Sequence, residues 1–168
     1  MTIIDLKDFD IRYTILDDMP YLRSWLKIEG MLHWFPPDDE LEMENFIRIW
    51  MGFARYSAAL TATFDNQPIG MATLYLMPYR KVAHQCMFQI IVDPKYQRKR
   101  IGYSLMKNMI HLAKNYFRLE LINVEILDEK NPLISLLKKL DFYEFARQEK
   151  YIKENGEYFS RVLMERQL

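Results

Sequence analysis

The chain has 168 residues, half of them apolar and 14% aromatic, which suffices for one hydrophobic core and excludes an intrinsically disordered chain. Its 23 Lys and Arg balance 23 Asp and Glu, so a chain-wide electrostatic hold on nucleic acid is excluded and any anion site must be local. A lone cysteine, Cys86, excludes an internal disulfide and points to a reducing compartment. Met1 to Arg12 carries Asp5, Asp8 and Asp10 and lacks the basic-then-apolar order of a signal peptide. No apolar run approaches the roughly 20 residues that span a bilayer. The expectation is one cytoplasmic domain over residues 1–168, with neither nucleic acid nor membrane as partner.

Ile11 to Leu16 reads as an opening strand. Asp17-Asp18-Met19-Pro20 has the form of a helix entry, with an Asp cap and Pro in the first turn. The helix puts Tyr21, Leu22, Trp25 and Leu26 on one face and ends near Gly30. Met31 to Pro37 is an apolar connector closed by two prolines. A second helix starts at Asp38 or Asp39 and repeats Phe46, Ile49, Trp50 and Phe53. Ser57 to Phe64 and Ile69 to Met77 form a hairpin around Asp65-Asn66-Gln67-Pro68.

Cys86 to Val92 is a fourth strand, apolar except for Gln89 and so expected to be buried on both faces with an inert thiol at Cys86. A third helix from Gly102 to about Phe117 repeats Ile101, Leu105, Met109, Leu112 and Tyr116. Leu119 to Leu127 is a fifth strand, and Asn131-Pro132 opens a short helix through Leu140. Two final strands, Tyr143 to Lys153 and Glu157 to Glu165, meet at Asn155-Gly156, where positive φ suits a hairpin turn. The order is β-α-α-β-β-β-α-β-α-β-β, an α+β chain with a mixed, mostly antiparallel central sheet flanked by helices.

Between the fourth strand and the third helix lies Asp93-Pro94-Lys95-Tyr96-Gln97-Arg98-Lys99-Arg100-Ile101-Gly102. A strand running into a cationic loop and then a helix N-terminus presents free N–H groups, a helix dipole and positive charge together, which is how a pyrophosphate is held. The same residues also read as a solvated basic loop. No Cys/His set has metal-ligand spacing and no Ser-His-Asp pattern is present, so no metal is expected.

The element order, with Val92-Asp93-Pro94-x-Tyr96-Gln97, resembles the GNAT superfamily of acetyl-CoA dependent N-acetyltransferases over nearly the whole chain. Phe64 to Gly70 looks like that family's second hairpin, and Asn131 to Phe142 like the helix after its fifth strand. The run from Trp25 through Trp34-Phe35 to Trp50 is loosely similar to the branch of ribosomal-protein and aminoglycoside acetyltransferases. The resemblance implies a GNAT-like acyl-CoA N-acyltransferase fold in which the fourth strand splays from the fifth. It further implies acetyl-CoA as cosubstrate, held by the main chain of Ile90, Ile91 and Val92, by Gln97, Arg98, Lys99, Arg100, Ile101 and Gly102, and by Asn131. The acceptor would be the primary amine of a small molecule or a protein N-terminus, attacking directly, with His33, Trp34 and Phe35 in its pocket.

Several positions depart from the family pattern. Arg100 stands at the first glycine of Q/R-x-x-G-x-G/A, trading backbone freedom for charge and donors suited to phosphate. A strand-four glutamate is replaced by Cys86 or Met87. Leu137 stands where a fourth-helix tyrosine is usual, and Asp141 where a glycine is. Both expected proton-transfer groups are therefore missing, and Glu125 and His84 are the candidate replacements, with ion pairing and plain solvation as their ordinary alternatives. A non-catalytic module that keeps the fold and binds CoA is the competing reading.

Overall fold

The computed structural model describes residues 9–168. Residues 1–8, including the Asp5 and Asp8 of the signal-peptide reading, lie outside the described residues.

Turn chemistry sets up the sheet. Asp65 and Asn66 adopt positive φ (49° and 60°), folding β2 (Ala59–Phe64) onto β3 (Gln67–Leu76). Pro68, which the sequence places in the loop, lies inside β3 where the register slips between Ala62 and Thr63. A bulge is where a strand tolerates a residue without an N–H. Asn155 and Gly156 (φ 50° and 82°) likewise join β6 (Tyr143–Glu154) to β7 (Glu157–Gln167). With β1 (Phe9–Tyr13), β4 (Gln85–Val92) and β5 (Leu121–Leu127), these build a seven-stranded sheet ordered β1-β2-β3-β4-β5-β7-β6. All neighbours are antiparallel except β4 and β5.

Two apolar clusters cover the sheet. On one face Cys86, Phe88 and Ile90 of β4 pack with Val124 and Ile126 of β5 against α3 (Ile101–His111) and α4 (Leu133–Lys139). On the other, Met71 and Ile91 pack against α1 (Met19–Leu26) and α2 (Glu40–Ala54). Within α2, Asp39 caps the helix by accepting from the Glu42 N–H at 2.8 Å. Its buried face is Met43, Ile47, Trp50 and Met51. Ile49, which the sequence spacing puts in the stripe, is 55% exposed, while Phe46 and Phe53 pack at the margins.

Three further differences have local causes. The opening strand stops at Tyr13 because the chain turns at Leu16–Asp18. Asp18 stands at the N-cap position of α1 but does not cap it through its side chain: its buried carboxylate takes both Arg12 Nη atoms at 2.8 Å, the Ile15 N–H at 3.0 Å and the Thr61 hydroxyl at 2.9 Å. Burial alone would raise its pKa, but these donors hold it below the ordinary carboxylate value. The first helix ends at Leu26 rather than Gly30, unwinding into three-residue turns from Ile28 to Trp25 and Met31 to Ile28. The third helix closes in a π-helical turn, Leu112–Tyr116, whose extra residue rotates Tyr116 off the buried stripe into solvent.

β4 is not buried on both faces. Gln85, Met87 and Gln89 are only partly covered, because α1 and α2 reach Ile91 but not the earlier residues. Cys86 is buried, and burial pushes its thiol up to about 12, so it stays protonated and inert. Among the described residues no helix is long and apolar enough to cross a membrane.

Candidate functional site

The parallel ladder between β4 and β5 lasts three residue pairs, from Gln85–Leu121 to Met87–Asn123. Both strands then continue, β4 to Val92 on β3 and β5 to Leu127 on β7, without pairing to each other. Asp93 N–H donates to the Ile69 carbonyl, so by antiparallel alternation Ile91, Gln89 and Met87 direct their main-chain groups to β3. Those of Phe88, Ile90 and Val92 face the opposite edge, into the gap. Of the three main chains implicated from sequence, Ile90 and the N–H of Val92 turn to the gap, the Val92 carbonyl already accepts from Gln97, and Ile91 is engaged by β3.

The loop beyond Val92 is ordered by its own residues. Asp93 Oδ1 accepts from the Lys95 N–H at 2.9 Å and starts a short turn, Pro94–Tyr96. Gln97 donates through Nε2 to the Val92 carbonyl at 3.1 Å, clasping the loop to the end of β4. Arg98 and Arg100 both adopt the left-handed conformation (φ 60° and 65°), Arg100 therefore keeping the backbone shape of the glycine it replaces. Both are exposed and have no carboxylate partner among the described residues. Lys99 lies over the Tyr96 ring at 5.3 Å.

Arg100 is the N-cap of α3, and the first helical hydrogen bond runs from Ser104 N–H to its carbonyl. The N–H groups of Ile101, Gly102 and Tyr103 therefore lack helical partners, and no acidic side chain occupies this turn. Ile101 buries its side chain in the core. At Gly102 an added Cβ would stand 3.2 Å from Leu136 Cδ2, so glycine permits α3 to approach α4 closely. Asn131 uses its Oδ1 to accept from the Leu133 N–H at 2.9 Å at the entry of α4, which leaves its amide NH2 to donate elsewhere.

On the sheet face opposite α3 a cavity of about 420 Å³ opens where the ladder ends, lined among others by Met87, Asn123, Glu125, Phe145, Arg161 and Leu163. That volume lies in the range of small-molecule sites. Glu125 sits in this wall, two residues past the last paired residue of β5, with Arg161 at 3.6 Å. His84 lies elsewhere: exposed, before the paired end of β4, its carbonyl accepting from the Glu120 N–H. Of the two proton-transfer candidates, Glu125 alone lines the cavity. The missing tyrosine has no replacement on α4, since Leu137 is fully buried in the core. One strand away, the Tyr75 hydroxyl is buried without a partner, and burial pushes its pKa up.

The connector residues form a clamp. His33 Nδ1 meets Glu154 Oε2 at 2.6 Å and Nε2 meets Asp128 Oδ2 at 2.9 Å, tying the α1–α2 connector to the end of β5 and the β6–β7 hairpin. Its ring packs edge-on against Trp34 and Phe159. Phe35 is buried against Phe46. None of His33, Trp34 or Phe35 lines the cavity.

Burial works against charge on His33, but hydrogen bonds to two carboxylates outweigh it and its pKa is raised above the ordinary 6.5. Its clamp is therefore fully present below pH 6.5 and is lost as pH rises through the raised value. In thermal unfolding between pH 5.5 and 9, His33→Ala is expected to cost on the order of 1 kcal/mol at the acid end. The cost should shrink toward the alkaline end; a cost independent of pH would refute an imidazolium clamp.

The sequence reading misses Arg161, Asp128 and Glu154. Alternation along β7 puts Arg161 opposite Val162, but nothing local aligns it with Glu125.

The family model for the acetyltransferase (GNAT) family matches residues 20–142. The chain is similar to L-amino acid N-acetyltransferase AaaT of Escherichia coli (strain K12), 28% identical over 107 residues. The match covers 64% of this chain and 66%, just under two thirds, of that relative. Among solved structures, ribosomal-protein-alanine N-acetyltransferase from Brucella melitensis superposes with a TM-score of 0.82 at 19% identity, covering 95% of this chain and 99% of that one. YncA of Salmonella typhimurium, solved with its cofactor acetyl-CoA, superposes with a TM-score of 0.78 at 16% identity over 95% and 94% of the two chains. At those identities the likeness establishes the fold.

Proposed function

As this chain belongs to the acetyltransferase (GNAT) family, we propose that it moves an acetyl group from acetyl-CoA to a primary amine by direct attack. The observation that carries this reading is the end of the β4–β5 ladder at Met87–Asn123, which leaves a strand edge open between a cationic loop and a cavity. The structure fits the cosubstrate in both its parts. The free N–H groups of the α3 first turn, with Arg98, Lys99 and Arg100, suit a pyrophosphate. The edge that β5 leaves unpaired at Phe88, Ile90 and Val92 suits an extended amide-bearing arm running about 16 Å from Val92 back to Met87. Asn131 would donate to that arm from the α4 side. Relatives named for N-acetylation of an L-amino acid and of a ribosomal-protein alanine support a nitrogen acceptor.

Bound acetyl-CoA supplies an acetyl group activated as a thioester. The chain has to position the amine, remove its proton and polarise the carbonyl. Main-chain N–H groups on the open edge of β4 serve the carbonyl, Glu125 takes the ammonium proton from an amine in the cavity, and as the C–N bond forms the C–S bond breaks, the thiolate leaving to take its proton from solvent. Glu125→Gln is expected to lower kcat about 100-fold while leaving acetyl-CoA affinity intact, read by thiol release and by calorimetry. An unchanged kcat would move the base elsewhere.

A second reading, a CoA-binding module without catalysis, is favoured by the burial of Leu137 where the resembling family carries a tyrosine. Thiol release from acetyl-CoA in the presence of amines separates the two: saturable release establishes the enzyme, and binding without release establishes the module.

A further inference from the structure

The guanidinium of Arg161 is held in one orientation yet left with a donor unused. It stacks on the Tyr151 ring at 3.9 Å, and its Nη2 donates to Gln148 Oε1 at 2.9 Å. Its Nε is buried without a hydrogen-bond partner, and the residue itself lines the cavity. Glu125 Oε2 stands 3.6 Å from Nη1, outside hydrogen-bond range, so this ion pair does not satisfy the group. A partly buried guanidinium (its side chain 24% exposed), oriented and incompletely bonded beside a carboxylate, is a two-charge receptor. The cation side binds a carboxylate through parallel N–H donors, and the anion side receives an ammonium. Met87, Phe145 and Leu163 supply the apolar part of the wall around it.

We propose that the acceptor is a small zwitterionic amine, an amine with a nearby carboxylate, and that Arg161 is its carboxylate-binding residue. This rests on the acetyltransferase reading above and narrows its acceptor. A peptide N-terminus, whose first carboxyl is an amide, lacks the group that Arg161 recognises.

The test compares free α-amino acids with their carboxamides and with dipeptides as acceptors, using the wild-type protein, Arg161→Gln and Arg161→Lys. Thiol release is followed, with folding checked by circular dichroism. Free acids are expected to be preferred, and Arg161→Gln to raise KM for the acid about 10- to 100-fold more than KM for the carboxamide, any effect through the neighbouring Glu125 being common to both. Arg161→Lys should restore part of the acid's KM, because charge survives without the planar fork. Equal use of acid and carboxamide by the wild-type protein, or equal loss of both in Arg161→Gln, would overturn the proposal. If no acceptor releases thiol, the acetyltransferase reading fails, and calorimetric titration with N-acetyl amino acids decides the carboxylate site separately. Saturable binding to the wild-type protein that Arg161→Gln loses supports the site, and no binding to wild type, or equal binding to both, rejects it.

Discussion

Reversing charge at both loop arginines, Arg98→Glu with Arg100→Glu, is expected to weaken acetyl-CoA binding by about 100- to 1,000-fold. Each substitution removes a charge-assisted donor near a dianionic group and adds repulsion, at about 1.5–3 kcal/mol per lost hydrogen bond to a charged group. The residual affinity belongs to the α3 first turn and the β4 edge, which carry no side-chain charge. Because both arginines are exposed, part of the effect is screened, so the gap between wild type and variant should narrow as salt rises. Arg100→Gly separates charge from shape. It relieves a left-handed conformation that costs an L-residue about 1–2 kcal/mol. The variant should therefore fold at least as stably while binding more weakly. Calorimetry at two salt concentrations with thermal unfolding reads both effects, and wild-type affinity in the double variant would remove this loop from the site.

Asp18→Ala is expected to be the most destabilising single change, at about 3–5 kcal/mol or a fall in Tm of roughly 6–20 °C for a chain of this size. The carboxylate is 3% exposed and satisfies Arg12 twice, the Ile15 N–H and the Thr61 hydroxyl. Its removal takes four hydrogen bonds from three groups at the junction of β1, β2 and the turn into α1. Asp18 has a lowered pKa, so its contribution is present above the ordinary 3.8 and disappears as pH falls below 3.8 through the lowered value. Wild type and Asp18→Ala should accordingly converge in stability at the acid end of a pH series. A loss under 1 kcal/mol at pH 7, or parallel pH profiles, would show that the cluster is not the keystone of this edge.

Much of the fold was legible because its signals are local. Asp65-Asn66 and Asn155-Gly156 adopt the positive φ that their chemistry favours, and Asp93 opens the loop through its own side chain. The order of strands and helices follows from periods of 2 and 3.6 and is observed unchanged. Local reading failed where a distant partner competed. Asp18 looked like a cap because Arg12 and Thr61 are not visible from its neighbours, and Ile15 and Leu16 looked like strand because their turn depends on that carboxylate.

The same division runs through the candidate site. The sequence by itself determined the cationic loop between strand and helix N-terminus, since that segment is contiguous and its field is local. It also determined which strand faces are apolar, and so that Glu125 turns away from Val124 and Ile126. Only the tertiary structure decided where β4 parts from β5 and that Arg161 stands beside Glu125. It alone decided, too, that His33 lies between carboxylates 95 and 121 residues away. Side-chain alternation specifies a face but not a neighbouring strand or its register. Groups from β5, β6 and β7 meet only once the sheet has set which strands lie side by side.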